Sequence, residues 1–273
     1  MKRLFLVILI FNLGLSFQSK AQDLLITPTR IVFDGNKQKE ELNLVNTGKN
    51  IATYSISFVQ KNMKEDGSFI TIEKSDSVQM FADPYLRIFP RQVTLAPGEP
   101  QVIILQCRRK PDMVAGEYRS HLFFRAESDY NPLDANHSVR DTTLLNVQLT
   151  PIFGMTIPII IRSGVVNVSS TLSDLKLDTQ QDSIKNLKLT INRIGNISTY
   201  GDIIIQYFPT QGKPSQIGVV AGVAVYTNIN KRNVVVRLKN APGKTLKKGK
   251  LKVQYINNGE SKRVVYAERE LDI

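Results

Sequence analysis

The chain has 273 residues, 42% hydrophobic and 22% charged, a composition that excludes an intrinsically disordered protein. Its 16 Gly and 12 Pro exclude collagen-like and low-complexity classes, and its 1 Cys excludes internal disulfides and Cys-rich zinc sites. The formal charge is +12 at pH 7, and with only 2 His, His121 and His137, the composition points away from an enzyme.

At the N-terminus, Lys2 and Arg3 precede a mostly apolar run from Leu4 to Phe17. Ser19-Lys20-Ala21 then places small residues at the −3 and −1 positions of a cleavage site. Basic, apolar, small-x-small is the order of a secretory signal peptide. A membrane anchor would need about 20 apolar residues, and Asn12 and Gly14 interrupt this shorter run. No Cys follows Ala21 to carry a lipid, and no later stretch approaches spanning length. Residues 1–21 are therefore expected to be removed, leaving a soluble exported chain long enough for two domains.

Beyond that segment, β-branched and alternating runs recur at 24–33, 41–45, 52–58, 102–107, 118–126 and 144–161. A second series occupies 165–168, 186–193, 202–207, 219–226, 233–238, 250–255 and 263–268. Turn signals separate the runs: Asp34-Gly35, Thr47-Gly48, Asp66-Gly67, Pro97-Gly98, Gly212, Pro242-Gly243 and Asn258-Gly259. Alternation is strict in Glu41-Leu42-Asn43-Leu44 and from Lys185 to Ile191, and no window keeps a 3.6-residue apolar stripe. This pattern predicts an all-β protein of two antiparallel β-sandwich domains, residues 22–162 and 163–273. Cys107 continues a strand pattern, which favours a buried structural thiol over a reactive one.

Charge changes across that boundary. Residues 22–162 hold 16 basic and 16 acidic side chains, whereas residues 163–273 hold 17 basic and 8 acidic. No Asp or Glu occurs from Ile203 to Gly259, and 9 Lys or Arg fall within Lys231–Lys252. Such a field attracts anionic partners over about a Debye length. Without interleaved aromatics to stack on bases, nucleic acid is not the expected partner. An anionic envelope surface, an acidic protein, or a merely solvated basic face remain as readings.

Three segments of the first half resemble the periplasmic chaperones of the chaperone–usher pilus pathway, the PapD-like family. Thr27-Pro28-Thr29-Arg30-Ile31-Val32-Phe33-Asp34-Gly35 is similar to that family's first strand. Tyr85-Leu86-Arg87-Ile88-Phe89-Pro90, followed by Leu95-Ala96-Pro97-Gly98-Glu99 and Gln101-Val102-Ile103-Ile104, is similar to its P-x-x-x-x-L-x-P-G-x-x-Q segment. Gly116-Glu117-Tyr118-Arg119-Ser120-His121-Leu122-Phe123-Phe124 is similar to its E-S-L-F-aromatic strand. The resemblance covers Leu24–Arg162; the second half is similar in size and strand content only.

The resemblance implies two immunoglobulin-like domains in an L or boomerang arrangement, located in the periplasm. It implies a chaperone that binds pilus or fibre subunits lacking a strand, lends its own, and hands them to an outer-membrane usher. Free molecules of such a chaperone could cap their own edges as a dimer. A lent strand needs apolar residues at alternate positions; Leu145, Val147, Leu149, Pro151, Phe153, Met155, Ile157, Ile159 and Ile161 meet that pattern, and the resemblance makes Leu145, Val147, Leu149, Pro151 and Phe153 the expected lent-strand residues. A core strand of the chain's own domain requires the same alternation. Prolines 151 and 158 suit an edge rather than a sheet centre.

The resemblance also implies a subunit anchor of two basic residues gripping a C-terminal carboxylate. Arg30 matches the first by its place in the motif, and an Arg fork suits a carboxylate. A structural pairing of Arg30 with a carboxylate, such as Asp34 or one in the second domain, is the alternative. The second, a Lys late on the lent strand, has no counterpart, since that region reads Met155-Thr156-Ile157-Pro158-Ile159. Arg162 lies about 13 Å further along a strand.

No catalytic, metal or cofactor site is expected. Neither His121 nor His137 carries a G-x-S-x-G or Cys–His signature, and Gly243-Lys244-Thr245 lacks the earlier Gly of a phosphate loop. Glu127, Asp134 and Asp141 have no spacing that requires a carboxylate pair. The expected function is thus a non-enzymatic chaperone acting by donor-strand complementation. The rival is a structural or adhesive envelope protein built from the same domains.

Overall fold

The structure is a computed structural model that describes residues 24–73, 80–127, 154–180, 184–239, 246, 248–257 and 263–273. The expected signal segment, residues 1–21, and the expected lent-strand residues Leu145, Val147, Leu149, Pro151 and Phe153 lie outside the described residues.

The first half folds as two facing sheets. One is antiparallel and runs in the order β1 (Leu24–Thr27), β3 (Lys39–Asn46), β8 (Pro100–Cys107), β6 (Leu86–Phe89). The other runs β2 (Ile31–Phe33), β10 (Gly154–Ser163), β9 (Gly116–Ala126), β4 (Ala52–Met63), β5 (Phe69–Ile72), with β7 (Gln92–Leu95) also paired to β4. Among the described strand pairs of this sheet, β2 and β10 run parallel and the others antiparallel, with a further parallel bridge from Met80 to Tyr118 of β9. Strand alternation builds the core: Leu42 and Leu44 point inward while Glu41 and Asn43 stay exposed. Ile103, Leu105 and Cys107 join them from β8, and Leu122, Phe124, Ile157, Ile159 and Ile161 close the other side. Each such side chain contributes about 1.5–3 kcal/mol by leaving water. Burial also pushes the Cys107 thiol pKa up, so the thiol stays protonated among its apolar neighbours.

The second half repeats the plan with different strands. A three-stranded sheet of β11 (Val168–Gln180), β12 (Ile184–Gly195) and β15 (Lys231–Arg237) faces a four-stranded sheet. The latter runs β14 (Ser215–Val225), β13 (Thr199–Pro209), β16 (Gly249–Asn257), β17 (Val264–Asp272). Leu187, Leu189, Ile191, Val234 and Val236 pack against Ile203, Ile205, Leu251, Val253 and Tyr255. The chain is all-β with two β-sandwich domains, as expected.

Several boundaries differ from the sequence expectation. The first strand of the second sandwich begins at Val168 rather than Val165, which stays exposed at 82%. Strand β4 runs on past Phe58 to Met63 through the polar residues Gln60, Lys61 and Asn62. The basic run of the second half is partly neutralised across the sheet. Lys250 pairs with Glu270 at 2.9 Å and Lys252 with Glu268 at 2.6 Å, both acids coming from β17. Among the described residues no group of three metal-ligating side chains gathers, and no helix is long and apolar enough to cross a membrane.

The end of the second sandwich that meets the first is held by one buried cation. Arg193 Nη1 donates to the carbonyls of Gly195 (2.7 Å) and Ile197 (3.0 Å). Its Nη2 reaches Thr227 O at 3.3 Å and Asn230 Oδ1 at 3.2 Å, and Nε reaches Ile229 O at 3.3 Å. Two loops are thereby tied into a single surface. Arg193→Met would strip the donors while keeping the bulk, and orphaned buried acceptors cost about 1–3 kcal/mol each. Urea unfolding is expected to show a loss of about 3 kcal/mol or more for Arg193→Met. The exposed Arg237→Met should stay within about 0.5 kcal/mol of the parent.

Candidate functional site

Arg30 occupies the point where the chain changes sheets. β1 belongs to one sheet and β2 to the other, so Pro28-Thr29-Arg30 crosses between them. Ile31 then pairs in register with Ile159 of β10, fixing Arg30 beside that strand. The guanidinium points at the second sandwich: Nη1 donates to Tyr226 Oη and Nη2 to Ser198 Oγ, each at 3.3 Å. It also lies over the Tyr200 ring, 4.6 Å from the centroid, and 5.7 Å from that of Tyr226. Cation–π contact steadies the charge without neutralising it. Among the described residues no carboxylate is in ion-pair range of Arg30. Asp34, its candidate partner by sequence, accepts instead from Arg162 at 3.2 Å.

Around Arg30 the two domains enclose a cleft with a cavity of about 260 Å³. Its cations are Arg30, Lys61 and Arg232, and none of its lining residues is acidic. Aromatic and apolar walls come from Met63, Phe69, Pro158, Tyr200, Ala224 and Tyr226. Arg119 lies behind the wall, fully buried, with its guanidinium 3.8 Å from the Tyr226 ring centroid and Nη2 donating to Lys61 O and Asn228 Oδ1. A larger hollow of about 450 Å³ in the second sandwich is lined by Leu175, Leu177, Leu246, Leu271 and Ile273 together with Lys248 and Asp272. It lacks the convergence of like charge and aromatic faces that makes the cleft the better binding candidate.

His121 sits in the wall with its ring edge-on to Phe69, centroids 5.6 Å apart. Burial, reinforced by the nearby charges of Arg119, Lys61 and Arg30, lowers its pKa to about 3. The imidazole is therefore neutral and adds no charge to the cleft.

Sequence reasoning placed Arg30 here but missed the other polar members. The position expected for a second basic residue is held by Thr156 and Pro158, which line the same cavity. Arg162 does not replace it, being turned to Asp34 and to Glu117 at 3.9 Å. The second cation comes from Lys61, on β4, and the third from Arg232, on β15. Lys61 lay just beyond the recognised end of its strand. Arg232 was visible only as part of the basic run.

Strand β10 approaches the cleft with one side uncovered. β2 pairs only with Ile159–Ile161, so among the described residues nothing pairs with Gly154–Pro158 on the side away from β9. Ile157, Ile159 and Ile161 face the core of their own domain, and Ile160 joins Met63, Ala224 and Tyr226 in a small cluster between domains.

No protein-family model matches the chain, and no curated protein matches it. Solved structures do. The chain is similar to the YadV chaperone at 13% identity, covering 92% of this chain and 100% of that one, with a TM-score of 0.44. It is similar to the CsuC–CsuE chaperone–tip adhesion subunit pre-assembly complex of Acinetobacter baumannii at 13% identity, covering 89% and 97%, with a TM-score of 0.44. A Salmonella enterica SafA pilin in complex with the SafB chaperone matches at 15% identity over 91% and 97%, with a TM-score of 0.39.

The neutral His121 has a consequence for pH dependence. Its folded pKa lies below the unfolded value of about 6.5, so the unfolded chain takes up the proton first as pH falls. The stability it contributes is complete above about pH 6.5 and is lost on descending toward pH 3, at up to about 1.4 kcal/mol per pH unit. Unfolding free energies measured between about pH 6 and pH 5, above the main carboxylate range, are expected to fall for the parent and to fall less steeply for His121→Gln.

Proposed function

We propose that this chain is a non-enzymatic periplasmic chaperone for incomplete immunoglobulin-like pilus or surface-fibre subunits. In this reading residues 1–21 direct export and residues 22–162 lend a strand. Residues 163–273 supply the far wall of the cleft. The observation that carries the reading is a half-uncovered strand, β10, leading into an acid-free cationic cleft built on Arg30. An unpaired strand edge offers a row of N–H and C=O groups to an incoming strand. A cleft of cations at its end fits the negative charge of a chain terminus, where Arg can bond both carboxylate oxygens at once. The strand segment through Leu145, Val147, Leu149, Pro151 and Phe153 would then fill the subunit's groove with alternate side chains. An usher is the expected recipient of the loaded complex.

Co-purification of the mature chain from its own envelope tests this. The parent is expected to bring down a small β-rich subunit in stoichiometric amount. Losing a charge-assisted carboxylate contact costs about 1.5–3 kcal/mol, so Arg30→Ala should lower recovery by about tenfold or more. A subunit held equally well by the variant would keep the chaperone and move the anchor away from Arg30. Absence of any stoichiometric partner in either sample would leave a structural envelope protein as the better reading.

A further inference from the structure

We infer that the second sandwich carries a strand-docking site at its far corner, between β11 and β17, which takes an extended segment of an acidic partner protein with branched aliphatic residues at alternate positions. Tyr200, near the start of β13, lines the cleft, whereas Pro209, at the end of β13, pairs with Gly249 beside this corner. The site is thus at the opposite end of the sandwich from the cleft, and it does not rest on the chaperone reading.

A bulge opens the corner. β11 keeps register with β12 as far as Ser173 and resumes it at Lys176, with one extra residue on the β11 side. Asp174 takes φ +55° there, a conformation that Asp tolerates better than most side chains. Leu172 and Leu177 are five residues apart, a spacing that an unbroken strand would put on opposite faces. The bulge turns both toward the core and bends the strand. Before it, Arg269 Nη1 of β17 donates to Leu172 O at 2.8 Å and ties the two strands together. Beyond it, they flank the hollow of about 450 Å³.

The hollow is aliphatic and its two margins are strand edges. Leu175 and Leu177 line one side and Leu271 and Ile273 the other, with Leu246 between, all half-buried against the domain core. Its volume is that of roughly fifteen waters, enough for two or three aliphatic side chains. β11 ends one sheet and β17 the other, so among the described residues no strand pairs with either on its outer side. A lipid tail would fill the hollow and leave those N–H and C=O groups to water. A strand laid along Lys176–Gln180, where β11 is regular again, bonds them and drops alternate side chains between the sheets. The walls are set beforehand. Leu177 pairs across with Leu187 and Leu271 with Leu251, while Gly249 and Ile273 exchange backbone hydrogen bonds of 3.0 and 2.9 Å. Binding to walls already ordered costs little entropy.

Charge selects the partner. Residues 163–273 hold 17 basic and 8 acidic side chains, so two copies of this domain repel each other. The acids around the corner are already engaged. Asp178 pairs with Lys188 at 2.6 Å, Glu270 with Lys250 at 2.9 Å and Glu268 with Lys252 at 2.6 Å. Asp272, on the rim, lies in the field of Lys250, and Asp174 accepts from the Ser173 hydroxyl at 2.9 Å with Lys176 nearby. Lys248, also on the rim, has no carboxylate in ion-pair range among the described residues. Its carbonyl accepts from Thr210 N at 3.3 Å and Oγ1 at 2.9 Å, which fixes where the side chain starts. A strand flanked by carboxylates meets this cation, and a basic one is turned away.

The test titrates the mature chain with fluorescein-labelled nine-residue peptides, read by anisotropy. The first alternates Leu with Thr between terminal Glu residues. The others have the same composition with the Leu residues contiguous, Lys in place of Glu, or N-methyl groups on alternate amides. The first is expected to bind about tenfold or more tighter than each of the others, and hydrogen exchange should show added protection within Lys176–Gln180. Leu177→Asn should weaken it by about tenfold, and Lys248→Glu should remove the preference for Glu over Lys ends. Urea unfolding checks that both variants are folded, and exchange in the parent chain decides the question if either is not. Equal binding of the N-methylated peptide, or binding without protection of Lys176–Gln180, would overturn the strand site. So would failure of every peptide to bind, with the chaperone reading untouched. Dimerisation of the chain alone that protects the same amides would put a second copy in place of the acidic partner and overturn the inference as stated.

Discussion

The side chain of Glu117, withdrawn from solvent at the start of β9, accepts the backbone N–H of Ser198 at 2.9 Å and its hydroxyl at 2.6 Å, both through Oε2. A carboxylate in that position costs several kcal/mol unless donors meet it, and removing the donors would leave an uncompensated buried charge. The two sandwiches are therefore committed to one relative placement at this point. Glu117 N also donates to Asn196 O, so the backbone of β9 is tied to the same loop of the second sandwich. Ser198 is shared: its hydroxyl oxygen also accepts from Arg30. Tyr200, two residues further along, presents its ring to that guanidinium. The orientation of Arg30 thus follows from where Glu117 holds Ser198, and Arg193 in turn shapes the loop that carries Ser198.

This junction also decides where the negative charge goes. Asp34 is occupied by Arg162, Glu117 by Ser198, and Glu268 and Glu270 of β17 by the lysines of β16. Two of the cleft cations are left to aromatic faces and neutral acceptors, Tyr200 and Tyr226 for Arg30 and Thr71 for Lys61, while Arg232 contacts the Met63 thioether and feels the Asp66 carboxylate of the β4–β5 turn. Cation–π contacts are worth roughly 0.5–2 kcal/mol and orient a guanidinium without cancelling its field. Aromatics hold the cations close together while carboxylates spend themselves at the rim and on the far sheet. The result is an interior positive potential that solvent screens poorly.

Much of this architecture was legible because strand alternation is a local property. Leu42 and Leu44 in β3, and Leu187, Leu189 and Ile191 in β12, alternate in the sequence as they do in the cores. The first-strand motif likewise put Arg30 at a special place, although its proposed mate Asp34 went to Arg162. Lys61 was hidden for a physical reason. Gln60, Lys61 and Asn62 read as the end of a strand because a single-domain strand with polar residues on both faces has nowhere to bury either. Here the second sandwich and the cleft give those residues an environment, and β4 continues. Periodicity carries no information about which strands become neighbours, so neither Lys61 nor the neutralisation of Lys250 and Lys252 by β17 could be read from spacing alone.

Strand β10 has its two faces already assigned where it is described. Ile157, Ile159 and Ile161 belong to the core of the first sandwich, while Thr156 and Pro158 face the cleft and Ile160 the second sandwich. What Gly154–Pro158 has to spare is the backbone on one side. Recognition through backbone groups is tolerant of sequence, because every residue but proline carries the same donor and acceptor. An edge of this kind accepts many strands and discriminates among few. Under the chaperone proposal, discrimination would fall to the cleft beside Thr156 and Pro158, where this chain concentrates charge and aromatic surface. Such an edge beside a cleft rich in charge and aromatic surface would, under the same proposal, let one chain accept several related partners.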